Sequence, residues 1–505
     1  MISQSSGNKK IAKNTIALYI RMGITMLISF FATRITLEIL GVEDYGLNNV
    51  VASVVSMFGF INGSLGTAVQ RFFSIEIGKK NHEMLARVFG TSLFLHTLVA
   101  GVTFLLLELF AFFFLSKLSI PPDRLWAAHF VFQTSIVSLV LNILSVPHQA
   151  LLKAREEYSK IAVLDVLRAV FSLASLILLY RIQYDKLVAL SLLNLVVTFF
   201  YISAFVVYAR KYIEASFRLY IDKELIQEML SFISMLIFTV LASVLNKQGI
   251  VVLVNLFFGL TLNAAYAVAF QVSNMLDSFA MNFKQAVVPQ LMQAYGANDL
   301  TRMNKLMFLG TKVTFLLMMF ISIPLIVETD YILKTWLKEP PEYAYVFTFL
   351  IVIGVNINTF YYFVYQSVHA SGRIKMQQIL ISLSYILSVT VIFVSFKVGA
   401  NFYYAVIIPI FFSIIRNVIV IYSAIKTINL KAFNYFSQVV LPCIVLVLVI
   451  IPFQLVVKLL LESSFIRLVL VLSANSIFVT VIGYLLVLNR EDRAVLAGLF
   501  MKLNK

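Results

Sequence analysis

Ile444-Val445-Leu446-Val447-Leu448-Val449-Ile450-Ile451 is an unbroken apolar run. A strand of a membrane barrel would turn every second side chain toward a polar lumen, so this run reads as helix. It lies inside a longer apolar segment, 437–461, which has the roughly twenty residues a helix needs to cross about 30 Å of hydrocarbon. Segments of the same kind recur near 15–38, 46–67, 87–115, 125–151, 160–180, 186–208, 229–257, 262–290, 306–334, 343–366, 375–397, 401–425 and 465–489. The chain therefore reads as an all-α polytopic membrane protein of about fourteen transmembrane helices. Composition agrees: of 505 residues, 61% are hydrophobic and 13% charged, and the mean hydropathy is +0.93, outside the range of soluble domains.

An offset of 218 residues carries Gly41 onto Gly259, Ala68-Val69 onto Ala286-Val287, Gly78 onto Gly296, Arg87 onto Lys305, Pro122 onto Pro340 and Arg155 onto Arg373. Apolar spans and basic loops coincide under the same shift. The reading is a duplication: an N-terminal six-helix lobe over 1–208, a cytoplasmic linker over 209–228, a C-terminal six-helix lobe over 229–426, and two extra transmembrane helices with a tail over 427–505. Six spans return each copy to the face it started from, so the lobes form a parallel pseudo-twofold repeat, an arrangement used by transporters. The linker, with Phe217, Leu219, Tyr220 and Ile221 among its charges, is expected to lie on the membrane surface.

The net charge of +16 follows topology rather than nucleic-acid binding. With Met1 inside, Lys13, Lys79, Arg87, Lys153, Arg302, Lys305, Lys312, Arg373 and Arg490 fall on one face, while few cations, such as Lys117, Arg124 and Lys338, fall opposite. The positive-inside rule then puts both termini in the cytoplasm. Trp126 and Trp336 sit at outer helix ends, where amphipathic rings anchor. The first span is too long, and lacks the cleavage residues, for a removed signal peptide.

Charges within spans are costly and default to function. In the first span Arg21, Thr25 and Ser29 share a narrow arc with Asn14; the shift maps them to Thr239, Ser243 and Lys247, joined by Asn246. Each copy thus supplies one cation, at different depths. Gln271, Asn274, Ser278, Asn282 and Gln285 form a polar face on the eighth span, with Ser53, Ser56, Ser64 and Thr67 in the earlier copy; amides facing lipid would be unsatisfied. Asp277 and Lys284 beside that face form a salt bridge or a coupling and gating pair, and Asp165 and Arg168, three apart, satisfy each other. Arg416 and Arg71 are further cations suited to an anionic head. Together Arg21, Lys247, Arg416 and Arg71 make an expected cationic cavity, which favours anionic cargo as the dielectric falls. His96, His129 and His148 have no metal-ligand spacing. There is no phosphate-binding glycine loop or nucleophile elbow, and no loop large enough for a catalytic domain, so an enzyme is not expected.

Asn14-Thr15 with Arg21, Leu40-Gly41-Val42-Glu43-Asp44-Tyr45-Gly46-Leu47, Gly66-Thr67-Ala68-Val69-Gln70-Arg71-Phe72, and the segment from Leu253 to Gly259 after Lys247 resemble the Wzx-type polysaccharide flippases of the multidrug/oligosaccharidyl-lipid/polysaccharide superfamily. The resemblance covers the layout of the whole chain. It implies a MATE-like two-lobed fold in the bacterial inner membrane that moves undecaprenyl-diphosphate-linked oligosaccharide, for O-antigen or capsule, to the outer leaflet by alternating access. It also implies a cationic lumen, no cofactor beyond coupling to protons or sodium, and partners among membrane lipids, glycosyltransferases and the polysaccharide polymerase. The alternative is an ion-coupled small-solute or multidrug exporter of the same superfamily. The charged pattern of major facilitators is absent from Ser74 to Arg87.

Overall fold

The computed structural model describes residues 2–114, 121–212, 222–337 and 339–494, and among these every regular element is helical. The helices are α1 (Ile2–Met57), α2 (Gly59–Lys79), α3 (His82–Phe114), α4 (Leu125–Ala154), α5 (Tyr158–Leu179), α6 (Lys186–Ala209), α7 (Lys223–Gly296) and α8 (Leu300–Val327). They are followed by α9 (Thr329–Leu337), α10 (Ala344–Ser371), α11 (Lys375–Lys397), α12 (Tyr404–Ile428), the single turn α13 (Ala432–Tyr435), α14 (Leu441–Leu460) and α15 (Phe465–Ile482). Residues 213–221 of the linker, including Phe217 to Ile221, and the side chains of Ser53 and Ser56 lie outside the described residues.

The duplication is written into the backbone. α1 breaks at Gly41 (φ 75°, ψ 175°) and α7 at Gly259 (φ 80°, ψ −173°), a region that is essentially glycine-only. Lys80 and Asn298, again 218 apart, both turn left-handed as the following helix begins. α3 and α8 begin at His82 and Leu300, α5 and α11 end at Leu179 and Lys397, and α6 and α12 begin at Lys186 and Tyr404, each pair at the same offset.

Among the described residues twelve helices are long and apolar enough to cross a membrane. The two expected spans outside that set are the stretches after Gly41 and Gly259. The second of these carries the amides and charges read above as a polar face, which lowers its hydropathy, whereas the first is divided between two helices, α1 ending at Met57 and α2 beginning at Gly59.

The chain divides into two compact units, Lys13–Ile237 and Met1–Ala12 with Phe238–Lys505, so the division falls within α7. In the first unit, Phe132, Ile136 and Ile143 of α4 pack against Leu176 and Leu179 of α5 and Leu187 and Leu190 of α6. At the end bearing Trp126, Arg124 donates from Nε to Asp44 Oδ1 at 2.8 Å and from Nη1 to Asp185 Oδ2 at 2.5 Å. Asp185 also caps α6 through the N–H groups of Leu187 and Val188. One guanidinium therefore ties the starts of α4 and α6 to α1.

In the second unit, α14 and α15 have no counterpart in the repeat but are no loose appendix. Cys443, Leu446, Ile450, Val471 and Val479 are buried with Phe315, Met318 and Ile323 of α8. Arg467 meets Glu328 at 2.7 Å at one end, Asn475 donates to the carbonyls of Met319 and Phe320 in the middle, and Lys312 meets Asp492 at 2.6 Å at the other. Lys312, counted above among the cations of the cytoplasmic face, is 1% exposed inside α8. It is a structural charge, retained because Asp492 compensates it.

Candidate functional site

The first unit gathers its charges around Asp165. Asn14 donates to the backbone oxygen of Glu156 at 2.9 Å, fixing α1 against the turn before α5. Two turns further, Arg21 Nη1 meets Asp165 Oδ2 at 2.7 Å, and the Tyr201 hydroxyl donates to Asp165 Oδ1 at 2.6 Å. Both carboxylate oxygens are thus engaged from neighbouring helices. The expected Asp165–Arg168 pair gives way to this arrangement, because α1 and α6 present better-aimed donors than the same helix can. Arg168 instead places its guanidinium 4.7 Å from the Tyr201 ring centroid. Lys153, at the end of α4, lies within electrostatic reach of both Asp165 and Arg21. Three cations surround one carboxylate. Thr25 donates back to the Arg21 carbonyl at 2.8 Å, while Ser29 is exposed.

The matching crossing of α7 and α11 is neutral. Thr239 bonds to Gln378 Oε1 at 2.7 Å and to Ser382 Oγ at 3.0 Å, and Gln378 passes the network on to Tyr365 and His369. Ser243 is half-buried on the same helix.

One turn along α7, the second unit opens a pocket of about 150 Å³. Asn246, Lys247, Tyr266, Phe270, Asn358, Tyr385, Ser413 and Arg416 line it. Asn246 is held by the Tyr385 backbone oxygen at 2.9 Å. Lys247 Nζ stands 5.6 Å from the Phe270 ring and Arg416 Cζ 4.4 Å from the Tyr385 ring. Arg416 is 7% exposed, and its Nε has no hydrogen-bond partner. Among the described residues neither Lys247 nor Arg416 has a carboxylate within salt-bridge distance. Two of the four cations expected from sequence therefore share one pocket, with aromatic faces and the Asn358 and Ser413 side chains beside them.

Asp277 and Lys284 do not form the expected salt bridge. Lys284 Nζ sits 4.6 Å from the Tyr362 ring, and Asp277 lies within electrostatic reach of both Lys284 and Lys247. In the second unit, then, two cations share the field of one carboxylate. Asn282 is buried and bonds to the Ser278 carbonyl of its own helix, while Gln271 and Asn274 are exposed. Arg71 stands apart from both clusters: its guanidinium lies 3.9 Å from Glu228 and within 5 Å of the Phe72 and Phe232 ring centroids, occupied by protein groups.

Sequence reasoning missed Tyr201, Lys153, Tyr385 and Asn358. Tyrosine is too frequent here, at 23 residues, to single out one ring, and Lys153 read as an ordinary loop cation. The Arg21–Asp165 contact spans 144 positions, with no local spacing to betray it.

The repeated helix boundaries, the paired glycine breaks and the apolar spans define a duplicated polytopic membrane fold. The chain belongs to the MatE family: the family model matches residues 17–178 and 236–394, once in each copy, and members of this family are transporters. Solved structures with the same fold include an outward-facing multidrug resistance MATE family transporter of the MOP superfamily, 12% identical, covering 84% of this chain and 97% of the other at a TM-score of 0.72. A MATE protein in its bent conformation is 13% identical, with 84% and 97% covered and a TM-score of 0.69. A MOP superfamily transporter from Pyrococcus furiosus, described by a reversed polarity of its binding pocket, is 11% identical, with 84% and 96% covered and a TM-score of 0.69. No curated protein matches the chain in sequence.

Proposed function

We propose that this MatE-family transporter is a flippase that moves undecaprenyl-diphosphate-linked oligosaccharide repeat units across the bacterial inner membrane by alternating access. The observation that carries the reading is the pocket where Lys247 and Arg416 face a common space, neither with a carboxylate within salt-bridge distance among the described residues. Fixed cations in a partly desolvated pocket favour an anion such as a diphosphate. The rings of Tyr266, Phe270 and Tyr385, with Asn358 and Ser413, offer the stacking faces and hydrogen-bonding groups that sugars use. Both termini lie in the cytoplasm in this reading, and glycosyltransferases and a polymerase act before and after it. Asp277, near Lys247 and Lys284, is the group through which a proton or sodium gradient couples.

The test is translocation of a fluorescent lipid-diphosphate oligosaccharide in proteoliposomes. Lys247→Ala and Arg416→Ala are each expected to slow flipping roughly tenfold or more, the loss of one charge-assisted contact. Normal flipping by both variants overturns the role of the pocket.

A second reading, an exporter of small or drug-like solutes, is favoured by the description of the multidrug transporter that shares the fold. It predicts dye efflux by intact cells and no flipping of the lipid-linked sugar in proteoliposomes.

A further inference from the structure

We propose that the second unit holds one zwitterionic phospholipid, with an acyl chain in the cavity between α8, α10 and α14 and an ethanolamine head between Asp330 and Lys458. The cavity has a volume of about 770 Å³ and walls built from residues such as Met319, Ile353 and Leu448. It shares no lining residue with the Lys247 pocket: α10 separates the two, turning Gly354 and Asn358 to one side and Ile353 and Phe360 to the other.

Its polarity is sorted by position. Asn356, the polar residue deep within it, is satisfied by Ser322 Oγ at 2.9 Å and the Val352 carbonyl at 2.8 Å. Water needs two to four polar partners to reside in a cavity, so this interior suits hydrocarbon. Leu448 and Leu455, which border the cavity, are 65% and 44% exposed, so on the α14 side it is open to whatever surrounds the bundle, which for a membrane protein is lipid.

The other polar lining residues stand at helix ends on one side: Thr329 and Asp330 where α9 starts, Tyr345 where α10 starts, and Lys458 near the end of α14. The exposed Trp336 on α9 marks this as the level of the headgroups. Lys458 Nζ donates to the Val327 carbonyl at 2.6 Å, which leaves two of its three donors for a phosphate. Asp330 is exposed and supplies the carboxylate for an ammonium. A base and an acid at one mouth complement a head that carries both charges. A glycerol head can donate hydroxyl hydrogen bonds to Asp330 but has no cation to pair with it, so the phosphate charge beside that carboxylate is left uncompensated.

The experiment is native mass spectrometry of the purified full-length chain in detergent, titrated separately with phosphatidylethanolamine, phosphatidylglycerol of the same acyl chains, and polyprenyl phosphate. One bound phosphatidylethanolamine per chain is expected, retained about tenfold better than phosphatidylglycerol. Asp330→Asn and Lys458→Gln should each remove most of that preference. Ile353→Trp, which fills the cavity, should abolish the adduct. Leu448→Trp at the exposed rim, which leaves the packed core alone, should weaken it, and Leu387→Trp on the exposed face of α11 should not. Equal retention of the two phospholipids, or retention indifferent to both Ile353→Trp and Leu448→Trp, overturns the proposal. So does preferential retention of polyprenyl phosphate, which would make the cavity part of the transport path instead.

Discussion

Arg21 and Thr239 stand 218 residues apart at the same point of a duplicated helix crossing, yet Arg21 closes a 2.7 Å ion pair with Asp165 while Thr239 bonds to Ser382 at 3.0 Å without charge. The crossing is shared and the chemistry is not. The first copy can therefore be asked to run on the chemistry of the second.

Asp165→Asn removes the only carboxylate described among Arg21, Arg168 and Lys153. Breaking a buried pair costs about 3–5 kcal/mol; because Arg21 and Asp165 are 23% and 21% exposed, solvent screening lowers the expected loss to about 2 kcal/mol. The double variant Arg21→Thr with Asp165→Leu copies Thr239 and Leu383 and should be more stable than Asp165→Asn, because Arg21 is no longer left beside a neutral partner, though short of the parent, because Lys153 and Tyr201 still lose Asp165. Thermal unfolding in detergent measures both. A double variant as unstable as Asp165→Asn would show that the charges are not the cause.

Gly41→Ala and Gly259→Ala introduce a Cβ that meets nothing within 4 Å, so any cost comes from the backbone alone. At these φ and ψ values each substitution should destabilise by about 1–3 kcal/mol. Equal losses in the two variants are expected, read as equal drops in unfolding temperature.

The tail is held by two ion pairs of different worth. Asp492→Asn leaves Lys312 buried without its carboxylate and should cost about 3–5 kcal/mol. Glu491→Gln breaks only the exposed pair with Lys305 and should change stability little. Hydrogen bonding and attraction from Lys305 hold the Glu491 carboxyl below its ordinary value. Its contribution is thus present above the unfolded-state pKa and lost as pH falls through the lower folded-state one. Unfolding temperatures of Glu491→Gln and the parent should converge under acid conditions.

Arg416→Lys keeps the charge but loses the planar fork that lies over Tyr385. Affinity for inorganic pyrophosphate, measured by calorimetry, should fall between that of the parent and that of Arg416→Ala. Equal affinity in all three would place anion binding elsewhere.

The helices and their doubling were legible because apolar length and glycine position are local properties: Gly41 and Gly259 can be aligned without knowing what either touches. The cations Lys247 and Arg416 were legible for a related reason, since a charge inside an apolar span is conspicuous wherever it points. Partners were not. Asp165 seemed committed to Arg168 three residues away, and the helix packing that brings Arg21 and Tyr201 to it leaves no periodic trace. Asp44, quoted among the residues that resemble the Wzx-type flippases, gave no hint of Arg124 eighty positions on. The last two spans read as an addition because they lack a repeat. Lys312, one of many cations on the cytoplasmic face, is the residue whose burial ties them to α8.

Gly41 and Gly259 each join two long helical stretches with a single non-helical residue. A joint of that length has two torsions and no slack. Displacement of one arm must reach the other as rotation about those bonds, so each pair of arms works as a crank where a longer loop would have made a tether.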